Sequence, residues 1–368
     1  MTTPHPGRIT AARQLIHPGH VRDSLHIRRQ TAIGNSVLTA VQTALTMAIA
    51  LPLVMLSPWP DLVGYAALGA LAALFGRFAP TGARMKVLIA AALCQVMAVL
   101  TMSTLAWAGM PAMGLLLAVA LCCGIFFYIA MTGRFGGPGA LVFVFAAGAS
   151  MSAVPTFDMV LSRTAATAAV AVLAVALCAA TEIFRITPSA ERPLPVEPVL
   201  PAPDRVTVAL RITVGAAIAG LVSHAMGAAH PVWACMGAMA VLQGTHLHIS
   251  MNRALQRLTG TVLGALLAWA LLALDPSPWE IIGLLVLLQF GTELVIGSNY
   301  GLGLILVTPM ALLMSRLAAG PAAGTAMVPE RIVDTLVGAG IAIVIAVLLS
   351  SLDDRHTLAR HHAGLSRG

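Results

Sequence analysis

His230-Pro-Val-Trp-Ala-Cys-Met-Gly-Ala-Met-Ala-Val-Leu-Gln-Gly-Thr-His-Leu-His-Ile-Ser-Met-Asn-Arg-Ala-Leu-Gln-Arg-Leu-Thr-Gly-Thr-Val-Leu-Gly264 is the stretch on which the fold turns. Its apolar part, Val232 to Leu242, is unbroken, yet a helix that crosses a bilayer needs roughly 20 apolar residues. A polar turn follows, then Arg253 and Arg257 at the start of another long apolar run. About 168 residues earlier, Leu68-Gly-Ala-Leu-Ala-Ala-Leu-Phe75 lines up with Met236-Gly-Ala-Met-Ala-Val-Leu-Gln243, and Arg77 and Pro80 close that run early too. Short helices at matching places in two halves point to a substrate cavity. The plainer alternative is a tilted helix or a locally thinned bilayer.

Outward from that pair, the rest of the chain reads as membrane. Of 368 residues, 58% are hydrophobic and 10% charged, against roughly 25% charged in soluble domains. Apolar runs cover 33–56, 62–79, 86–108, 112–131, 138–155 and 160–183, then 206–228, 231–245, 256–274, 279–297, 300–318 and 330–352. The fold class expected is an all-α membrane protein of about twelve transmembrane helices in two parallel six-helix repeats. An even helix count per half sets the pseudo-two-fold axis along the membrane normal. The expected organisation is a polar, basic N-terminal segment (1–30), a first repeat (31–185), a proline-rich linker (186–205), a second repeat (206–352) and a polar tail (353–368).

The net charge of +7 suggests no nucleic-acid partner, because the bases sit in short loops between apolar runs. With both termini in the cytoplasm, of the 21 Lys and Arg only Arg163, Arg316 and Arg331 fall toward the outside, as the positive-inside rule requires of an inner-membrane protein. The first helix is expected to insert uncleaved, since the segment before it lacks a signal-peptide core. The five cysteines lie in apolar runs with no metal-site spacing and read as small hydrophobes. His356, His361 and His362 read as part of a solvated tail, so no metal and no cofactor is expected. No nucleophile elbow, phosphate-cradling loop or zinc-protease motif is present, and the chain is not expected to be an enzyme.

Three ordered motifs carry a resemblance. They are His230-Pro-Val-Trp-Ala234 with Val241-Leu-Gln243 and Arg253-Ala-Leu-Gln-Arg257…Gly260-Thr…Gly264; Asn299-Tyr300…Thr308-Pro309…Leu312-Leu313; and Arg331-Ile-Val-Asp334-Thr335-Leu-Val-Gly338. Together they resemble the fusaric acid resistance protein-like family, which overlaps the aromatic acid exporters. The large cytoplasmic domain that family members often carry between halves is replaced here by the proline linker. The resemblance implies efflux of small organic, aromatic acids, and kinship with the aluminium-activated malate transporters, which are anion channels.

The leading expectation is a proton-coupled exporter of small organic anions. The alternatives are an anion channel of the same architecture and a membrane scaffold that transports nothing. Lipid and the anion are the expected partners; a second copy of the chain and a periplasmic adaptor protein are further partners the reading allows. Trp233, Gln243, Asn299, Tyr300 and Thr308 are expected to line the substrate path, because Trp and Tyr offer flat faces and polar tips. Glu293, a carboxylate inside an apolar run, is the proton-coupling candidate. Arg84 and Lys86 with Arg253 and Arg257 are expected to form a paired basic entrance that attracts anions. Arg331 and Asp334, three apart on one helix face, can pair; with Arg163 they are candidates for an external gate. Gly260-x-x-x-Gly264 and Gly297-x-x-x-Gly301 should allow close helix packing.

Overall fold

A computed structural model describes residues 7–365 other than 28, 31, 81, 188–198, 245 and 320–324. Two short helices, α1 (Arg8–Leu15) and α2 (Gly19–Ser24), precede the bundle. The first half holds α3 (Ile33–Met55), α4 (Val63–Ala70), α5 (Arg84–Trp107), α6 (Ala112–Thr132), α7 (Leu141–Ala149) and α8 (Phe157–Ala180). The second holds α9 (Ala202–Ala225), α10 (Val232–Leu242), α11 (Leu247–Ala273), α12 (Pro278–Val295), α13 (Tyr300–Ala319) and α14 (Met327–Leu348), and α15 (Leu352–Leu365) closes the chain. Most of the proline linker, residues 188–198, lies outside the described residues; its last part already belongs to α9.

Each of the twelve expected apolar segments contains a helix. Among the described residues nine are long and apolar enough to cross a membrane, and α4, α7 and α10 are not. The helices that cross carry large apolar side chains outward: Leu93, Leu121, Leu263, Leu266 and Trp269 are all more than half exposed. A belt of that kind is unstable in water and is at home in lipid.

The short helices lie inside this shell. Every residue of α4 and of α10 is buried, and a helix apolar on all sides is stable only when other helices surround it. At about 1.5 Å per residue α10 spans roughly half of a ~30 Å hydrocarbon layer. Its last carbonyls would be orphans there. Arg211 of α9 reaches over and donates to Leu242 O at 3.0 Å, a cation placed at a helix C-terminus. The α4 segment continues as a tighter turn, Leu71–Leu74, and stops at Gly76, whose φ of +70° is left-handed. That turn ends the expected 62–79 span early and swings Arg77 toward α12.

The packing pairs follow a pattern. α4 packs on α8 and α10 on α14; α5 on α8 and α11 on α14; α5 on α7 and α11 on α13. Between halves, α3 packs on α12 and α6 on α9. Glycines set the closest approaches. A Cβ on Gly69 would meet the Thr167 carbonyl at 2.4 Å, and one on Gly338 the Ala234 carbonyl at 2.4 Å. Gly260 and Gly264 seat α11 on α13, while Gly297 packs against the Gln30 side chain rather than another helix. Gly260→Val is expected to lose most of the folded protein, since its Cβ would lie 2.4 Å from the Gly301 carbonyl. Gly340→Val, at a position facing open space, should keep near wild-type yield in detergent gel filtration.

The end of the bundle that bears the first and last helices is built from α1, α2, α15 and α11. The expected solvated tail is a helix packed on α1 and α11, so the reading of a free polar tail is corrected.

Candidate functional site

At the end remote from the termini, Trp233 opens α10 and stacks on His230, with ring centroids 4.6 Å apart. The Arg331 guanidinium of α14 lies over the Trp233 ring at 5.0 Å. Such a cation–π contact is worth about 2 kcal/mol when desolvated. Arg331 is 3% exposed, and its Nε and one terminal nitrogen have no partner. Arg257, 2% exposed, approaches from α11 within electrostatic reach of Arg331. It donates to the Tyr300 hydroxyl at 3.0 Å, and its Nε is also unpartnered.

Arg331 and Asp334 do not form the expected ion pair. Asp334 turns to α9 and accepts from the Ser223 hydroxyl at 2.6 Å, leaving its second oxygen without a partner. Glu330 sits at the rim and accepts from the His230 amide at 2.5 Å, with His230 Nδ1 3.0 Å from its other oxygen. A cleft of about 310 Å³ opens beside Ser223, Glu330 and Asp334. Five helices thus converge on two buried cations, an aromatic face and one inner carboxylate.

The other expected site residues are dispersed. Gln243 lies just past α10, near the Gly139 loop, with a buried amide nitrogen that has no partner. Thr308 is fully buried, its hydroxyl unpartnered, against Gly264. Asn299 donates to the Ser24 and His26 carbonyls and accepts from the Gly301 and Leu302 amides. Its polar groups are taken up in holding the N-terminal segment and starting α13, which leaves little for a ligand. Arg163 lies over the Tyr65 ring at 5.1 Å and donates to the carbonyls of Ser152 and Ala153.

The four bases do not form a single surface entrance. Lys86 is exposed and Arg253 half-buried. Arg84, 2% exposed, bonds Glu182 at 2.6 Å and Gln42 at 2.8 Å, while Arg257 points to the interior. Burial alone would raise the Glu182 carboxyl, but the bonds from Arg84 and Arg185 outweigh it and hold it below the usual range.

Glu293 is 4% exposed. It forms an ion pair with Arg77, and Gln289 donates to it at 3.4 Å. Arg77 also reaches Ser36 of α3, which bonds Gln30, and Gln30 in turn holds the Leu294 carbonyl. This network ties α3 and the break after α4 to α12. Sequence reasoning treated Arg77 only as the end of a helix. A signal for Tyr65 was present, because it stands 168 positions before Trp233, as Arg163 does before Arg331.

Residues 217–345, which hold Ser223, His230, Trp233, Arg257, Tyr300, Arg331 and Asp334, match the family model described as fusaric acid resistance protein-like. The chain is therefore a multi-pass helical membrane protein whose second half carries a fusaric acid resistance protein-like segment. It is 33% identical over 131 residues to the uncharacterized membrane protein YvaC of Bacillus subtilis (strain 168), an alignment that takes in 36% of this chain and 21% of that protein. The chain thus matches about a fifth of the length of this relative. No solved structure matches it.

Proposed function

We propose that this protein is an inner-membrane secondary transporter that exports small organic acids, aromatic ones foremost, coupled to the proton gradient and without chemical change to its cargo. The observation that carries the reading is the pair Arg257 and Arg331. Two buried guanidiniums within reach of each other are costly unless an anion joins them. Among the described residues, Asp334 is the inner carboxylate that offsets them, and one of its oxygens is engaged by Ser223. The balance leaves a place for one carboxylate, next to the free N–H donors of both arginines. Trp233 and His230 flank this place with aromatic rings and hold the Arg331 guanidinium there.

A twelve-segment arrangement with both termini inside belongs to this reading. Two repeats related by a two-fold axis are supported by the way packing partners exchange, α3 on α12 and α6 on α9. Arg163 over Tyr65 and Arg331 over Trp233 are the same contact made twice, 168 positions apart. The second half keeps free donors, whereas Arg163 spends its donors on carbonyls. We assign the substrate to the second half on that ground. Glu293, buried against Arg77, is the group assigned to proton coupling.

The test uses inverted vesicles and a labelled benzoate. Saturable, gradient-driven accumulation is expected, with half-saturation raised at least about tenfold by Arg257→Gln, since a buried charged contact is worth roughly 1.5–3 kcal/mol. Ohmic current indifferent to the proton gradient would establish the channel reading instead. No carboxylate flux from correctly inserted protein would leave the scaffold.

A further inference from the structure

The end of the bundle that carries the termini gathers histidines from three distant parts of the chain. His20 of α2 is fully buried, and neither of its ring nitrogens has a partner. A buried imidazole with both nitrogens idle is rare, because each idle polar atom costs about 1–3 kcal/mol. The groups facing it explain why it is there. Asp23, one turn on, lies 3.0 Å from His361 Nε2 of α15, across 338 positions of sequence. A ligand atom from each of His20, Asp23 and His361 falls within 4.8 Å of the others. His361 stacks on His20 and, with centroids 4.6 Å apart, on His248 of α11, whose Nδ1 is also buried and idle.

We propose that His20, Asp23 and His361 form a binding site for a divalent transition-metal cation of the zinc class, which clasps the N-terminal segment to the C-terminal helix. Two imidazoles and a carboxylate are a donor set that Zn²⁺ accepts, with water or His248 as the fourth ligand. Tetrahedral bonds of about 2.0–2.1 Å put neighbouring ligand atoms roughly 3.3 Å apart. The Asp23–His361 pair already stands close to that spacing, and His20 needs a small turn to complete it. Asp23 and His361 are each about one-third exposed, so an ion has a way in. The clasp would act on a segment that matters for the fold. The carbonyl of Ser24, the last residue of α2, is held by Gln256 and Asn299, the residues next to Arg257 and Tyr300. The inference does not rest on the transport reading.

The full chain, purified in detergent without a polyhistidine tag, is titrated with Zn²⁺ and, in parallel, Co²⁺. One ion per chain is expected, with a four-coordinate visible Co²⁺ spectrum and a higher unfolding midpoint. Asp23→Asn keeps the side chain's shape and should weaken binding by at least the ~10–100-fold that loss of a second-shell partner costs. His361→Asn should do the same, and the pair together should abolish binding and the spectrum. His26→Asn, outside the cluster, should bind like the parent. If His20→Asn does not fold, the two partly exposed positions decide. Absence of Zn²⁺ binding in the parent chain, or unchanged stoichiometry and affinity in the Asp23→Asn, His361→Asn variant, would overturn the site.

Discussion

Arg331→Gln is expected to cut organic-anion accumulation by at least about 100-fold while the protein still inserts and elutes as the parent does. The side chain is buried over Trp233, and its unpartnered N–H groups face the same interior as Arg257. Removing one partner of a desolvated charged contact costs about 2–5 kcal/mol, and every 1.4 kcal/mol is tenfold. Glutamine keeps a polar tip but gives up the charge and the ring contact. Arg163→Gln provides the comparison. It breaks the equivalent contact with Tyr65, yet its donors already serve the Ser152 and Ala153 carbonyls, so transport should fall far less. Equal losses in the two variants would mean that both arginines serve packing alone, and the proposed anion place would go with them.

Glu293→Gln is expected to have the second large effect, in two separable measurements. In transport, the variant should lose accumulation driven by a proton gradient and keep substrate exchange, since a glutamine cannot take up and release a proton. In stability, it should unfold earlier, because Arg77 is left as a buried charge without its partner; breaking such a pair costs about 3–5 kcal/mol. The double variant Arg77→Gln, Glu293→Gln removes both charges and should recover much of the unfolding midpoint without recovering coupling. Wild-type coupling in Glu293→Gln would remove this carboxylate from the mechanism, whatever its effect on stability.

What could be read ahead of the structure was local. Gly260 and Gly264 mark a close interface by spacing alone. The apolar runs fix the helices because each must satisfy its own backbone in lipid. The shortness of Val232–Leu242 was visible for the same reason. The same reasoning went astray at Asn299, which looks like a lone amide in an apolar run until the N-terminal segment is seen lying on it. It also placed Arg257 at an entrance, since basic residues near helix starts ordinarily mark a membrane surface. Here α10 is too short to carry the surface with it, and Arg257 turns inward to Tyr300.

The sequence by itself determined that this is a helical membrane protein and where its apolar helices lie. Those are properties of composition and of period along the chain. The tertiary structure alone decided which charges meet. Arg77 finds Glu293, Ser223 takes Asp334 from Arg331, and His20 faces His361 across nearly the whole chain. A buried charge binds whichever partner packing brings within a few ångströms. Because nothing in hydrocarbon competes as water would, that choice is set by helix contacts and not by neighbours in sequence.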